Sequence, residues 1–196
     1  MEAYRHRRLL DREQIAAALD ELSARLRPTL PADGVTVVPI LGGAMIFAAD
    51  LVRRLPAGLV MDFIRVQTYG DATSPQTEPV VDWRPKEGNV RGRHVLLLDD
   101  ILDTGRTITE ARRFLLEEMG AAEVTIVVLI DKPARRAVDV EPDYAAIHVE
   151  EDHFLVGYGL DYRGRFRNLP ELLALETDDE GMPLPAESPR EAREGA

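Results

Sequence analysis

The sequence predicts an α/β fold with a mostly parallel sheet flanked by helices on both faces. Three observations carry this. Apolar, β-branched runs such as VTVVPI (35–40), HVLLL (94–98) and VTIVVLI (124–130) read as strands buried on both sides. Segments of helical periodicity alternate with them, as βαβ units require. The stretch VLLLDDILDTGRTIT (95–109) runs from apolar residues through carboxylates and a glycine into a helix. That layout places a ligand outside the carboxyl end of a strand.

The elements follow in order. Residues 11–27, DREQIAAALDELSARLR, carry Ile15, Leu19, Leu22 and Leu26 at helical spacing, and Pro28 and Pro31 stop the helix. Strand 35–40 runs into Leu41-Gly42-Gly43, and AMIFAADLVRRL (44–55) reads as a helix. LVMDFIRVQTYG (59–70) alternates in part, as a strand does. From Asp71 to Gly92 the pattern dissolves around three prolines, with a short apolar stretch at Val80-Val81. A connection this long inside a compact domain is a lid or a hairpin arm, and the expected lid covers about 70–92. Strand 94–98, helix 107–119 ending at Gly120, and strand 124–130 come next. The loop DKPARRAVDVEP and two short strands, 145–150 and 154–159, complete one domain over 1–175. The Pro- and acid-rich segment 176–196 is expected to be disordered.

Composition narrows the function. The chain has 196 residues and no cysteine, which excludes disulfides, thiolate chemistry and cysteine-based metal sites. No run of about eighteen apolar residues suggests a membrane span, and MEAYRHRRLLDREQ lacks the apolar region of a signal peptide. The chain therefore reads as cytoplasmic. A net charge of −11 makes it a poor generic nucleic-acid binder. The tail accounts for much of that charge, with seven acidic and two basic residues from Glu176 onward. Only two of the 24 basic residues are lysines, Lys86 and Lys132.

In the central stretch, Asp99 and Asp100 fall at a strand end, and Thr104, Gly105, Arg106 and Thr107 follow at a helix N-terminus. Unpaired N–H groups and the helix dipole favour an anion there. One loop thus sets a phosphate cradle beside three carboxylates, which suits a sugar phosphate with Mg²⁺ between acid and ligand. Other readings exist for the parts. An isolated Asp-Asp also caps helices, and response-regulator receivers carry an acidic pair, though near the domain start. A dinucleotide site is disfavoured because no G-x-G-x-x-G opens a helix.

The full string VLLLDDILDTGRT resembles the phosphoribosyl-pyrophosphate (PRPP) motif of type I phosphoribosyltransferases. LGGAMIFAADLVRRL, MDFIRVQTYG, LIDKPARR and HFLVGYGLDYRGRFRNLPEL resemble, in this order, segments of hypoxanthine-guanine phosphoribosyltransferases, over roughly residues 5–175. The resemblance implies a type I phosphoribosyltransferase fold with a small hood and a flexible lid loop. It also implies Mg²⁺-dependent transfer of phosphoribosyl from PRPP to a 6-oxopurine in purine salvage, by a homodimer or homotetramer.

Residue roles follow from the same resemblance. Asp99 and Asp100 hold the ribose hydroxyls and influence Mg²⁺. Asp103 is the general base near purine N7, and Thr104, Gly105, Arg106 and Thr107 bind the 5′-phosphate. Lys132 donates to the purine O6 carbonyl, which a donor-only ammonium can do for an oxo but not an amino group. Phe154 stacks on the base, and Leu155 and Val156 present backbone groups to its edge. Asp161 joins the purine site as the second Mg²⁺-associated carboxylate, and Arg167 grips pyrophosphate. Leu41, Gly42 and Gly43 form a loop, often with a cis peptide, whose amides bind pyrophosphate; many relatives carry lysine where Gly42 stands. Thr68 and Tyr69 open the lid where a Ser-Tyr pair is common. His153, Arg163 and Arg165 read as surface or loop residues.

Two other functions compete. A PRPP-sensing regulator on the same fold would need a basic surface for nucleic acid, which this acidic chain lacks. An enzyme for another base is the second; Lys132 and FLVGYGLDY weigh against adenine and pyrimidines and leave xanthine open.

Overall fold

The computed structural model describes residues 4–68 and 79–186. Along the chain run β1 (His6–Leu10), α1 (Arg12–Leu26), β2 (Val35–Leu41), α2 (Ala44–Val52), β3 (Val60–Met61), β4 (Ile64–Thr68) and β5 (Pro79–Trp83). They continue with β6 (His94–Leu102), α3 (Arg106–Arg113), β7 (Glu123–Asp131), β8 (Tyr144–His148), β9 (Phe154–Val156) and β10 (Leu172–Leu175). These elements form two compact units, one holding residues 16–152 and the other the N-terminal residues to Ile15 with those from His153 onward.

The larger unit is built on a sheet ordered β5-β4-β2-β6-β7-β8, with β3 also paired to β2. Every pairing is parallel except β4 with β5. The most apolar strands take the centre. Val95, Leu96, Leu97 and Leu98 of β6 are fully buried, as are Val37 and Val38 of β2 and Val127, Val128 and Ile130 of β7. Each such side chain contributes roughly 1.5–3 kcal/mol by leaving water. Helix α1 opens with a capping box, in which the Gln14 amide donates to Asp11 Oδ1 at 2.8 Å and Asp11 N–H to Gln14 Oε1 at 2.9 Å. Its predicted stripe Ile15, Leu19, Leu22 and Leu26 is buried.

Within the larger unit four expectations change. The strand expected over 59–70 divides into β3 and β4, because Asp62 turns the chain by accepting the Phe63 amide at 2.8 Å. The expected loop 71–92 contains a strand, β5, whose residues 79–83 pair with β4 as a hairpin. Strand β6 does not end before the carboxylates: Asp99 and Asp100 lie within it, with Asp99 opposite Val128 of β7. The helix expected over 107–119 keeps α-helical bonding to Arg113 and then widens to a π-helical turn over Phe114–Glu118.

The smaller unit is an antiparallel sheet ordered β1-β10-β9. Val156, Leu173 and Leu175 centre its core, flanked by Tyr4, Phe154, Tyr162 and Phe166. The segment expected to be disordered is ordered in its first part. Glu176 N–H donates to the Arg5 carbonyl (3.1 Å), Arg5 N–H to that of Leu184 (3.0 Å), and Leu184 N–H to that of Glu176 (2.8 Å). Asp178 turns the chain between them, its Oδ1 accepting the amides of Glu180 and Met182. Backbone bonding therefore orders residues 176–185 despite their composition. Among the described residues no helix is long and apolar enough to cross a membrane.

Candidate active site

Strand β6 and the start of α3 frame a cavity of about 240 Å³, lined by Asp99, Asp100, Asp103, Thr104, Gly105 and Thr107 among others. The chain can turn there because Gly105 adopts φ +82° as the residue before α3, a left-handed conformation that glycine takes without strain. A Cβ at Gly105 would come within 2.5 Å of Val140 and 2.9 Å of Val138, so the glycine also lets the 136–140 loop lie close. Arg106 is exposed and does not line the cavity.

The two adjacent acids differ. Asp99 is 8% exposed, and its Oδ1 accepts the Asp100 amide at 3.0 Å. Burial, and then the neighbouring Asp100 carboxylate, push the Asp99 carboxyl well above the usual carboxylate range. Asp100 is half-buried, and its Oδ1 accepts the Ile101 amide at 2.9 Å. Asp103 is set apart by its unmatched acceptor: Oδ2 is 3.5 Å from Arg135 Nη1, while Oδ1 is buried and accepts no hydrogen bond from the described residues. A buried acceptor without a donor costs about 1–3 kcal/mol, which a folded protein retains where the acceptor has work to do.

The loop after β2 carries the expected cis peptide, between Leu41 and Gly42. Gly43 lies so near Asp100 that no Cβ fits between them, whereas a Cβ at Gly42 would meet nothing within 4 Å. A side chain would therefore be sterically admitted at Gly42. Lys132, just after β7, is 4% exposed and its Nζ pairs with Asp152 Oδ1 at 2.5 Å. Its backbone N–H donates to the Leu102 carbonyl at 3.0 Å, tying it to the Asp103 loop.

Apart from Thr68 and Tyr69, the remaining expected residues belong to the smaller unit. Phe154 on β9 is half-buried and meets Tyr162 edge-on, with ring centroids 5.4 Å apart. Leu155 and Val156 are buried in the same strand. Asp161 Oδ1 pairs with Arg167 Nη2 at 2.5 Å and its Oδ2 accepts the Gly164 amide, while Arg167 Nη1 donates to the Gly159 carbonyl. His153 contacts Arg7 in this unit. Arg163 stacks over Tyr162, and Arg163 and Arg165 are exposed as expected. Thr68 ends β4, and Tyr69 lies outside the described residues.

The phosphoribosyl transferase domain model matches residues 6–163. The hypoxanthine-guanine phosphoribosyltransferase of Streptococcus pneumoniae is 35% identical over 171 residues, spanning 87% of this chain and 93% of that protein. A crystal structure of a hypoxanthine phosphoribosyltransferase from Staphylococcus aureus superposes with a TM-score of 0.80 at 34% identity, covering 87% of this chain and 91% of that one. A hypoxanthine phosphoribosyl transferase of Trypanosoma cruzi, studied for the role of its C-terminal region in oligomeric state and activity, superposes at 0.76 and 28% identity, covering 88% of this chain and 92% of that one. The chain belongs to the phosphoribosyltransferase family. Relatives matched over nearly their full length include hypoxanthine-guanine phosphoribosyltransferases, and it is a pentosyltransferase of purine salvage.

As a phosphoribosyltransferase, the chain holds four site neighbours that motif reading passed over. Asp131, Arg135 and Arg136 fall within DKPARRAVDVEP, which reads as a loop, and Asp152 lies between the strands expected at 145–150 and 154–159. The available signal was Asp131 closing an apolar strand five residues before an arginine, a spacing that lets a loop fold back on its own acid.

Proposed function

We propose that this phosphoribosyltransferase transfers the 5-phosphoribosyl group of PRPP to N9 of hypoxanthine or guanine, releasing pyrophosphate. The observation that carries this is the single stretch 99–107, running from the end of β6 into α3, which joins a carboxylate pair, an acceptor at Asp103 without a donor among the described residues, and the N-terminal amides of α3. A phosphate at Thr104–Thr107, a diol at Asp99–Asp100 and a reacting centre beside Asp103 match PRPP from end to end.

The C1′–pyrophosphate bond breaks ahead of N9–C1′ bond making. Positive charge gathers on the sugar as negative charge leaves on pyrophosphate. The Leu41–Gly43 amides and Arg167 bind the departing anion. Asp103 accepts the N7 proton as the base becomes attached, a step commonly worth about 10²–10⁴ in rate. Lys132, nearly fully buried, donates to O6. Phe154 packs on the ring, and Leu155, Val156 and Asp161 serve its edge.

Among the described residues no cluster of three or more His, Asp or Glu could cage a metal. The donors suit Mg²⁺ all the same, because that ion is usually held by one or two carboxylates together with substrate phosphates and water. Asp99 and Asp100 would hold it, and a close acid pair strained by its own repulsion gains from a cation. When bound, Mg²⁺ offsets the charge of the pyrophosphate. The enzyme acts in the cytoplasm as a homodimer or homotetramer.

A spectrophotometric assay with PRPP and Mg²⁺ against hypoxanthine, guanine, xanthine, adenine and uracil tests this reading. Turnover of hypoxanthine or guanine is expected, with Asp103→Asn lowering kcat by about 10²–10⁴ while leaving the thermal midpoint in place. Turnover confined to xanthine or adenine would overturn the base assignment. PRPP binding without turnover of any base would favour a regulatory protein.

A further inference from the structure

Arg136 makes a set of contacts that no motif required. Its guanidinium is 11% exposed and pairs with Asp131 Oδ1 at 2.5 Å, a carboxylate itself only 9% exposed. Nε donates to the Asp103 carbonyl at 3.0 Å, Nη2 to the Leu102 carbonyl at 3.4 Å, and Nη1 to the Val140 carbonyl. One planar fork therefore holds three backbone carbonyls and a strand-end acid. Around it, Ala137 N–H donates to the Thr104 carbonyl and Lys132 N–H to that of Leu102, both at 3.0 Å. Asp103 follows β6 and Lys132 follows β7, and in register Leu102 stands opposite Asp131.

Chemistry gives this brace a purpose. N7 and O6 of a 6-oxopurine are neighbours on one edge of the base. A proton acceptor at N7 and a donor at O6 must keep a fixed spacing, yet here they come from two separate loops. We infer that Arg136, anchored by Asp131, is a positioning residue that sets Asp103 against Lys132, so that base recognition and N7 proton transfer depend on one buried guanidinium. The inference rests on the roles proposed above for Asp103 and Lys132. Burying an ion pair is costly and is a weak route to stability, whereas its directional hydrogen bonds fix geometry. Lysine keeps the charge but cannot span the carbonyls of 102, 103 and 140 together, because its ammonium is a compact point donor.

The test compares wild type, Arg136→Lys and Asp131→Asn in steady-state kinetics with hypoxanthine, guanine and PRPP, alongside thermal unfolding. In Arg136→Lys, kcat is expected to fall on the order of 10²-fold, the cost of misplacing a reacting group by about 1 Å. KM for the purine should rise severalfold, while KM for PRPP stays within about twofold. Asp131→Asn should move the same parameters the same way by less, and it decides the matter if Arg136→Lys does not fold. A lowered thermal midpoint with unchanged kcat and purine KM per folded enzyme would make the brace merely structural and overturn the inference. Equal loss of affinity for PRPP and purine would overturn it as well. A wild-type enzyme that turns over no 6-oxopurine would instead remove the site reading itself, which the wild-type arm shows alone.

Discussion

A Cβ built on Gly43 would lie 1.7 Å from Asp100 Oδ2 and 2.4 Å from its Cγ. The loop after β2 and the acid pair of β6 are therefore in direct contact, and only a residue without a side chain leaves Asp100 its position. Gly43→Ala must swing that carboxylate away, with little else disturbed, because the position precedes α2 in an ordinary helical conformation (φ −68°). The variant is expected to fold normally and to lose kcat/KM for PRPP by on the order of 10²-fold. A double-mutant cycle with Asp100→Ala checks the cause. If the two residues act together, Gly43→Ala costs little once Asp100 is gone; full additivity would assign the loss elsewhere.

The absence of a three-ligand cluster among the described residues bears on how Mg²⁺ acts. An ion that binds the folded chain by itself raises its thermal midpoint, by mass action. An ion that arrives with PRPP does not. Mg²⁺ alone, or its removal by a chelator, is expected to leave unfolding unshifted. PRPP and Mg²⁺ together should raise the midpoint, and chelation should abolish turnover. A midpoint raised as much by Mg²⁺ alone would mean the chain builds its own metal site.

How much of this was legible in the sequence depends on where the controlling bonds lie. Strands 35–40, 94–98 and 124–130 were readable because burial on both faces demands unbroken apolar runs. The cavity was readable because its donors are contiguous, from Asp99 to Thr107. Strand β5 was hidden, since PVVDW between prolines carries only two apolar neighbours and is held by its pairing with β4. Strand β1 was also missed: HRRLL is largely exposed and exists through register with Leu172–Leu175. The order in 176–185 rests on backbone bonds to Arg5, and composition is blind to those. Arg136 reads as one more loop arginine until the carbonyls of 102, 103 and 140 converge on it.

Asp62 links stability to acid pH. It follows β3, and its carboxylate accepts the amides of Phe63 and Lys86 and the Asn89 side chain, at 2.8, 2.9 and 2.8 Å. Burial by itself raises its pKa. The hydrogen bonds from Asn89, Lys86 and Phe63, with the Lys86 charge, outweigh burial and hold the carboxyl below its usual value. A depressed folded pKa means the ionised form favours the folded state. Its contribution is complete above the unfolded pKa of about 3.9 and is lost as pH falls through the lower, folded value. Asp62→Asn is therefore expected to lower the denaturant midpoint at neutral pH, with the gap to wild type closing as pH drops below about 4. A gap that stays constant with pH would show that shape rather than charge is at stake.

The C-terminal segment offers the last test, because its first half carries bonds that its composition concealed. Tyr4 pairs with Pro185, and Arg5 exchanges hydrogen bonds with Glu176 and Leu184. Tyr4 in turn meets Tyr162 and Phe166 edge-on, at 5.5 and 6.1 Å between centroids, within the core of the smaller unit. From composition alone, removing 177–196 should spare activity. Two lost backbone bonds, at about 0.5–1.5 kcal/mol each, point instead to a loss of stability of roughly 1–3 kcal/mol. Stopping after Ala186 keeps every one of these bonds. The shorter deletion is expected to leave the thermal midpoint and turnover unchanged, and the longer one to lower the midpoint by several degrees. Activity of the longer deletion should survive at low temperature and fail earlier on heating. If both truncations unfold where the full chain does, the pairing of 176–185 with Arg5 contributes nothing to the fold. If only the longer one loses turnover while still folded, the segment acts on catalysis, through the unit that holds Phe154, Asp161 and Arg167.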